Sequence, residues 1–426
     1  MKERIAIVSG LRTPFCKAGG VMRGMEADDI GAYIVSELMA RSGISSAVID
    51  ELIFGNVIQP PHAANIARIV SVKGGLPNKV PAFTVNRNCA SGLESITTAY
   101  DRISLGHDEV VVAGGTESMS NFPVLISKKY RDFLQNLSKA KTFGQKVSGI
   151  LRFRPSFIVP DFPEISDPLC SLSMGQTAEN LAREFRLTRE EQDQFSLRSQ
   201  HRAEHAQKAG LFAQEIAPIP VPPTYGSVQM QDDGPRAGQT LEALTKLKPI
   251  FDRVTGTVTA GNSSQVTDGA AAVIMMKESK AKALQLQPLG YIRDYAVAGL
   301  QPSRMGLGPA FAIAKLLTRT GMKLTDMDLI EINEAFAAQV LGVVKACASD
   351  DFARKELGLD HAVGTIDIDK LNVNGGAIAL GHPLGASGTR LVITILNELR
   401  RRNKNVGLVS LCIGGGQGQA AVLEVN

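Results

Sequence analysis

Apolar positions in the first 119 residues arrive in two alternating patterns. Short continuous runs, IAIVSG (Ile5 to Gly10), ELIFGNV (Glu51 to Val57) and EVVVAGGTES (Glu109 to Ser118), read as buried strands. Between them, Asp28 to Ser42, a stretch around Ala63 to Gly74, and Ala90 to Leu105 carry the spacing of an amphipathic helix. PAFTVNRNC (Pro81 to Cys89) leads into the last of these helices. Strands alternating with helices predict a parallel or mixed sheet with helices packed on it.

From about Pro288 the same order returns. GISSAVIDELIFGNV, from Gly43, resembles GMKLTDMDLIEINEA, from Gly321. CASGLESITTAYDRISLGHDEVVVAGG resembles GASGTRLVITILNELRRRNKNVGLVSLCIGGG, so the Ala-Ser-Gly of Ala90 to Gly92 recurs at Ala386 to Gly388. Each time it opens a helix leading to a strand that ends in glycines. Two segments repeated in one order indicate an internal duplication. The pattern between the halves differs: Ser173 to Lys208 is strongly helical, and the Pro-rich link IAPIPVPPTYG follows it. The organisation expected is a first half over 1–119, completed by about 251–285, an inserted domain over 120–250, and a second half over 286–426. Such an insertion usually covers the active site.

Composition narrows the picture. At 426 residues the chain exceeds one ordinary core, and 44% apolar with 21% charged residues excludes a disordered or fibrous protein. Forty-six basic residues against 42 acidic ones leave +4, too weak a balance to argue for nucleic acid. Five cysteines without a CxxC pair make neither a disulfide framework nor a zinc site, and they suit a reducing compartment. The N-terminal apolar stretch is too short for a signal peptide, and no run approaches a membrane span. The cytoplasm is the expected location.

The candidate chemistry clusters in a few loops. Cys89 stands where an extended segment turns into a helix, and N–H groups at a helix start favour a thiolate. A buried structural thiol is the alternative, against which the small neighbours Ala90, Ser91 and Gly92 would let a substrate approach. Cys412 ends a strand of the second half before Gly414, Gly415 and Gly416, whose N–H groups face whatever docks there, and the two cysteines read as related positions of the duplicated halves. His382, between glycines and before a proline, reads as a ring presented for proton transfer or as a loop histidine satisfied by backbone. Asn333 sits at a strand-to-helix junction, where an N-cap role competes. His201 and His205 lie four apart on a helix without a third metal ligand and read as solvated. No GxxxxGK[ST] occurs, and no GxGxxG opens a helix after a first strand, so neither a nucleotide-hydrolysing nor a nicotinamide enzyme is supported.

NRNCASGLES, GTVTAGNSSQVTDGAAA, INEAFAAQ, NVNGGAIALGHPLGASGTR and CIGGGQG, in this order, resemble the thiolases over nearly the whole chain. That resemblance implies an α/β fold of two duplicated mixed-sheet halves in five layers, αβαβα, with an inserted helical loop domain. It implies that Cys89 is the acyl-accepting nucleophile, that His382 activates it, and that Asn333 holds a water in the same oxyanion site. Cys412 would move the proton of the acetyl methyl group, and the N–H groups of Cys89 and Gly414 would form a second oxyanion hole. Ser264 would lie near the pantetheine and Met174 would line the acyl pocket.

The activity implied is CoA-dependent cleavage of 3-ketoacyl-CoA in fatty-acid β-oxidation. The alternative is a short-chain acetoacetyl-CoA thiolase (acetyl-CoA C-acetyltransferase). Short-chain members often carry His-Met where this chain has Ser173-Met174, a departure that favours a longer-chain pocket. The ketoacyl-ACP synthases of the same fold fit less well, because no HGTGT block is present. No metal or redox cofactor is implied; coenzyme A is a substrate, and a dimer or higher oligomer is expected.

The span Asn121 to Arg154 holds eight basic residues against Asp132 alone, interleaved with apolar ones. A solvated face is the ordinary reading of such a run, but a basic amphipathic pattern can also dock a partner or lie on an anionic membrane. Its position resembles the extended loop of trifunctional-complex thiolase subunits, which implies a hydratase/dehydrogenase subunit as partner.

Overall fold

Strands that are apolar at every position need an apolar layer on each face. The computed structural model, which describes residues 3–159 and 166–426, supplies both layers. Its main strands are β1 (Ile5–Arg12), β2 (Glu51–Gly55), β3 (Ala82–Val85), β4 (Val110–Glu117), β5 (Thr267–Lys277), β6 (Gly290–Gly299), β7 (Leu329–Ile332), β8 (Val406–Ile413) and β9 (Gln417–Glu424). Helices used below are α1 (Ala27–Ser42), α2 (Ile66–Lys73), α3 (Ser91–Leu105), α4 (Lys128–Lys139), α5 (Phe143–Leu151), α6 (Met174–Glu184), α7 (Arg189–Lys208), α8 (Gly308–Thr320), α9 (Ala337–Cys347) and α10 (Leu384–Arg401).

The strands run in the order β7-β8-β9-β6-β1-β5-β4-β2-β3. From β1 through β5 and β4 to β2 the pairings are antiparallel, antiparallel and parallel. From β6 through β9 and β8 to β7 they are the same. The duplication read from the sequence is therefore a duplicated pairing pattern, and β1 joins β6 antiparallel over Ile5–Ile7 to link the halves.

Alternate residues of each strand enter different cores, as a period of two requires. Leu52, Phe54, Val110, Val112 and Ile274 pack with Ile30, Ile34 and Val70 of α1 and α2. The intervening Ile53, Val111, Ala113 and Val273 face inward onto Leu93 and Ile96 of α3 and Leu391 and Ile395 of α10. That central core also takes Val409, Leu411 and Leu423 from the second half. Leu408, Ala420 and Val422 turn outward to Ile313, Leu316, Val340 and Val343 of α8 and α9. Helices, sheet, central helices, sheet and helices make five layers.

The repeated Ala-Ser-Gly explains how the central helices meet. A Cβ on Gly92 would stand 2.6 Å from the carbonyl oxygen of Gly385 and 2.8 Å from Thr389 Oγ1, closer than side chains tolerate. Thr389 Oγ1 donates to the Gly92 carbonyl at 3.0 Å. Glycine at this crossing lets the helices pack backbone against backbone.

Phe122–Ser166 forms one compact unit, and Met1–Asn121 with Asp167–Asn426 forms another. The smaller unit is thus shorter than the 120–250 span expected to form an insertion, of which residues 160–165 lie outside the described residues. Leu181 of α6 and Phe195 of α7 pack in the outer core of the second half, which ties those helices to the larger unit. Within the smaller unit, α4 is capped by Ser127 and α5 by a reciprocal Thr142–Gln145 capping box. Tyr130, Phe133, Phe153 and Phe157 form its aromatic centre, while Phe143, Val147, Ile150 and Leu151 of α5 are exposed. Among the described residues no helix is long and apolar enough to cross a membrane.

Candidate active site

Cys89 follows β3 through a tight turn. Asn88 adopts φ 44°, a left-handed conformation that asparagine tolerates. Ser91 Oγ donates to the Asn88 carbonyl at 2.7 Å and accepts from the Arg87 N–H at 2.9 Å. The half-buried thiol is thereby set at the entrance to α3. The N–H groups of Gly414 and of Cys89 itself bond to its sulfur and favour the thiolate, as the helix start led one to expect. Burial outweighs them, however, and pushes the thiol above its ordinary value. The resting group is therefore a thiol, and a base is needed to make it a thiolate.

His382 is almost fully buried, and both ring nitrogens are engaged. Nδ1 lies 2.6 Å from Ser387 Oγ and Nε2 lies 3.3 Å from Asn333 Nδ2. Ser387 has one hydroxyl proton, and it goes to the Pro383 carbonyl at 2.9 Å. Ser387 must then accept from His382, so Nδ1 carries the ring proton and Nε2 presents its lone pair. Burial first, and the charge of Arg390 second, hold the imidazole down at about 3. The ring is neutral.

Asn333 follows β7, with its N–H donating to Ser410 of β8 at 2.9 Å. It caps no helix. Its Nδ2 serves His382, and its Oδ1 is buried without a protein partner. Glu334 ties this loop to the histidine loop: its carboxylate accepts from Asn372 Nδ2 at 2.8 Å, Ser199 Oγ at 2.5 Å and the Ile378 N–H at 3.3 Å.

Cys412 is the penultimate residue of β8, where β4 has Thr116, whereas Cys89 precedes α3, where the second half has Gly385. The two cysteines are thus not related positions of the duplication; they meet because opposite ends of the repeat converge on one cleft. Burial holds the Cys412 proton firmly, and the neighbouring Cys89 sulfur strengthens that hold. Gly414 follows, its carbonyl accepting from Asn88 Nδ2 at 2.8 Å. A Cβ there would touch Met174 Sδ at 3.4 Å, so Met174 borders the same cleft. Met174 also packs against the apolar cluster of Cys412, Phe336 and Met305. Ser264 lies at the margin, half-buried, its N–H donating to the Ala335 carbonyl at 2.9 Å. His201 and His205 are exposed on α7, outside this group. No cluster of three metal-ligating side chains occurs among the described residues.

Three contributors were not singled out from the sequence. Ser387, inside the GHPLGASG stretch, decides the imidazole tautomer. Asn88 joins the Cys89 turn to the Gly414 loop. Glu117, at the end of β4, accepts from Asn56 Nδ2, the Val57 and Ile58 N–H groups and the Gly385 N–H at 2.9 to 3.1 Å, clamping the α10 entrance to the first half. The position of Glu117 at a strand end was the only available signal. Chemically, the site offers a half-buried thiol with N–H donors at its sulfur, a second, buried thiol that keeps its proton, and a neutral imidazole.

Two family descriptions match the chain: "Thiolase, N-terminal domain" over residues 5–279 and "Thiolase, C-terminal domain" over residues 286–425. A protein named 3-ketoacyl-CoA thiolase from Pectobacterium carotovorum subsp. carotovorum (strain PC1) is 44% identical over 425 residues, covering 100% of this chain and 97% of the relative. Among solved structures, acetyl-CoA acetyltransferase of Bacillus anthracis is 38% identical with a TM-score of 0.85 and 99% coverage of both chains. Human mitochondrial 3-ketoacyl-CoA thiolase in complex with CoA is 38% identical with a TM-score of 0.84, covering 100% of this chain and 98% of the other.

Proposed function

The chain belongs to the thiolase family, and from that membership we propose how its cleft makes and breaks a carbon–carbon bond. It is an acyltransferase of the 3-ketoacyl-CoA thiolase kind, which cleaves 3-ketoacyl-CoA with a second CoA to acetyl-CoA and a shortened acyl-CoA in fatty-acid β-oxidation. The observation that carries the assignment of roles is the imidazole of His382, strung between Ser387 and Asn333 with Nδ1 carrying the proton and Nε2 as its accepting nitrogen, on the loops that also bring in two thiols.

His382 Nε2 takes the proton of Cys89, and the sulfur attacks C3 of the substrate. The N–H groups of Cys89 and Gly414 receive the developing oxyanion. The C2–C3 bond then breaks, its electron pair passing into the enolate of acetyl-CoA. That enolate oxygen accepts from protonated His382 and from a water held at Asn333 Oδ1. Cys412 gives its proton to C2, which frees acetyl-CoA and leaves a thiolate. The incoming CoA thiol surrenders its proton to Cys412 and attacks the acyl group, and Cys89 departs as the leaving thiolate. The steps move protons and an acyl group without net oxidation, so no resident cofactor is required. Met174 borders the acyl group and Ser264 the pantetheine arm.

The partners follow from surfaces. β3 is the outer strand of the sheet among the described residues, and an outer strand can pair with a second copy, which supports a dimer. The basic unit with its exposed α5 face supports docking to a hydratase/dehydrogenase subunit or an anionic membrane, within the cytoplasm. A second reading, short-chain acetyl transfer, is favoured by the likeness to the Bacillus anthracis enzyme. Measuring kcat/KM on acetoacetyl-CoA beside a long-chain 3-ketoacyl-CoA separates the two, with Cys89→Ser as blank. Preference for the long substrate supports β-oxidation; activity confined to acetoacetyl-CoA overturns it. Acyl label recovered on another cysteine of the Ser variant would remove Cys89 from its role.

A further inference from the structure

His382 is suspended between two elements: Asn333 at the end of β7 holds Nε2, and Ser387 on α10 holds Nδ1. One step behind that span, the same two elements are joined again. Arg390 Nη1, on α10, donates to Glu331 Oε2, on β7, at 3.0 Å, and both residues are almost fully buried. The geometry is that of a ladder. Ile330 and Ile332 face the outer core, so Glu331 and Asn333 face α10 together, two residues or about 6.6 Å apart along the strand. Ser387 and Arg390 are one helical turn apart, about 4.5 Å along the axis. The catalytic rung is Asn333, His382 and Ser387; the rung behind it is Glu331 and Arg390.

We propose that the Arg390–Glu331 pair is a positioning device that sets the spacing between β7 and α10 across which the imidazole of His382 is strung. The inference rests on the assignment of His382 as the base. A buried charged pair is a costly way to gain stability, and burial pushes the Glu331 carboxyl up to about 8 even beside Arg390, so the pair's value here lies in geometry. Arg390 Nε and Nη2 are buried without hydrogen-bond partners, so the guanidinium hangs on the bond to Glu331, with the buried Glu215 carboxyl adding a longer-range attraction. The charge of Arg390 reaches the ring and helps keep it neutral. Other ionisable groups on the elements around the ring and its rung are Glu117 on β4, Asp268 on β5, Glu334 after β7, Glu215 against α10, Cys89 and Cys412. Arg390 alone combines proximity to the ring with a bond to the strand that delivers Asn333.

The test uses the full chain with kcat expressed per site, counted by the acyl label on Cys89. Arg390→Lys keeps the charge but loses the fork, and Glu331→Gln keeps the shape but loses the charge. Each is expected to lower kcat about tenfold with KM unchanged. The double variant Arg390→Met with Glu331→Met replaces the rung by apolar side chains. Its kcat should fall about 100-fold, the scale of a misplaced reacting group, and the acid limb of its pH profile should rise toward the ordinary imidazole range. A purely structural pair would reduce the number of labelled sites while leaving kcat per site and the limb unmoved. A folded double variant with parental kcat and acid limb overturns the proposal. If the double variant does not fold, parental kcat in both single variants overturns it. Failure of the underlying assignment is seen separately, as full thiolysis by His382→Gln.

Discussion

Substituting Gly92 by alanine loads the crossing of the two central helices. The added Cβ would stand 2.6 Å from the Gly385 oxygen, 2.8 Å from Thr389 Oγ1 and 2.9 Å from Thr389 N, where ordinary contact begins at 3.4 Å. The worst of these overlaps requires 3.4 − 2.6 = 0.8 Å of separation. Two of the three atoms are backbone in or beside the first turn of α10, so no side chain can rotate away to absorb it. Overpacking of this kind costs about 1 to 3 kcal/mol. Alanine is the better helix former by about 1 kcal/mol, leaving a net loss of about 0 to 2 kcal/mol. Activity should suffer more. α3 carries Cys89 at its entrance and α10 carries Ser387, so the shift moves nucleophile and base apart by most of an ångström, worth about 100-fold in kcat. Thermal unfolding and steady-state thiolysis report the two effects. The control is Gly144→Ala in α5, where a Cβ meets nothing within 4 Å and neither quantity should fall. A Gly92→Ala protein that melts at or above the parent temperature with parental kcat would refute the close-crossing argument.

Ser387→Ala should remove the acceptor that pins the His382 tautomer and lower kcat by about 10² or more with little change in KM; Ser387→Thr should recover part of it, and equal kcat in parent and alanine variant contradicts the tautomer assignment. Met174→Phe should narrow the acyl side of the cleft, so kcat/KM for long 3-ketoacyl-CoA should drop relative to acetoacetyl-CoA, and an unchanged ratio places Met174 outside the acyl path. His382 is held at about 3 when folded but returns to about 6.5 when unfolded. The unfolded chain therefore binds the extra proton, and the stability from keeping this ring neutral is complete above about pH 6.5 and is lost as pH falls toward 3. Between pH 6.5 and 5 the parent should lose about 2 kcal/mol more than His382→Gln, and parallel stability curves for the two would show that the ring is not held neutral.

Much of this architecture was legible in local pattern. Runs such as VVVAGG and GLVSLCI are apolar at nearly every position, as a strand covered on both faces requires, and the paired Ala-Ser-Gly segments announced two helices of one design. The chemistry-bearing residues were likewise visible, because Cys89, Asn333, His382 and Cys412 each sit where a strand or loop changes direction beside small residues. Their roles depend on what assembles around them. The helix start at Cys89 argued for a thiolate, yet desolvation by the closed layers dominates and leaves a protonated thiol. The two cysteines looked like copies of one position, yet they come from opposite ends of the repeat. Ser387 and Arg390 are unremarkable in a helical pattern, and they matter only because β7 lies across from them. Secondary structure and residue inventory follow from short-range periodicity and backbone sterics, which one chain segment carries in itself. Tautomer, protonation state and the distance between reacting groups follow from burial and long-range contact, which exist only after the two halves have closed on one another.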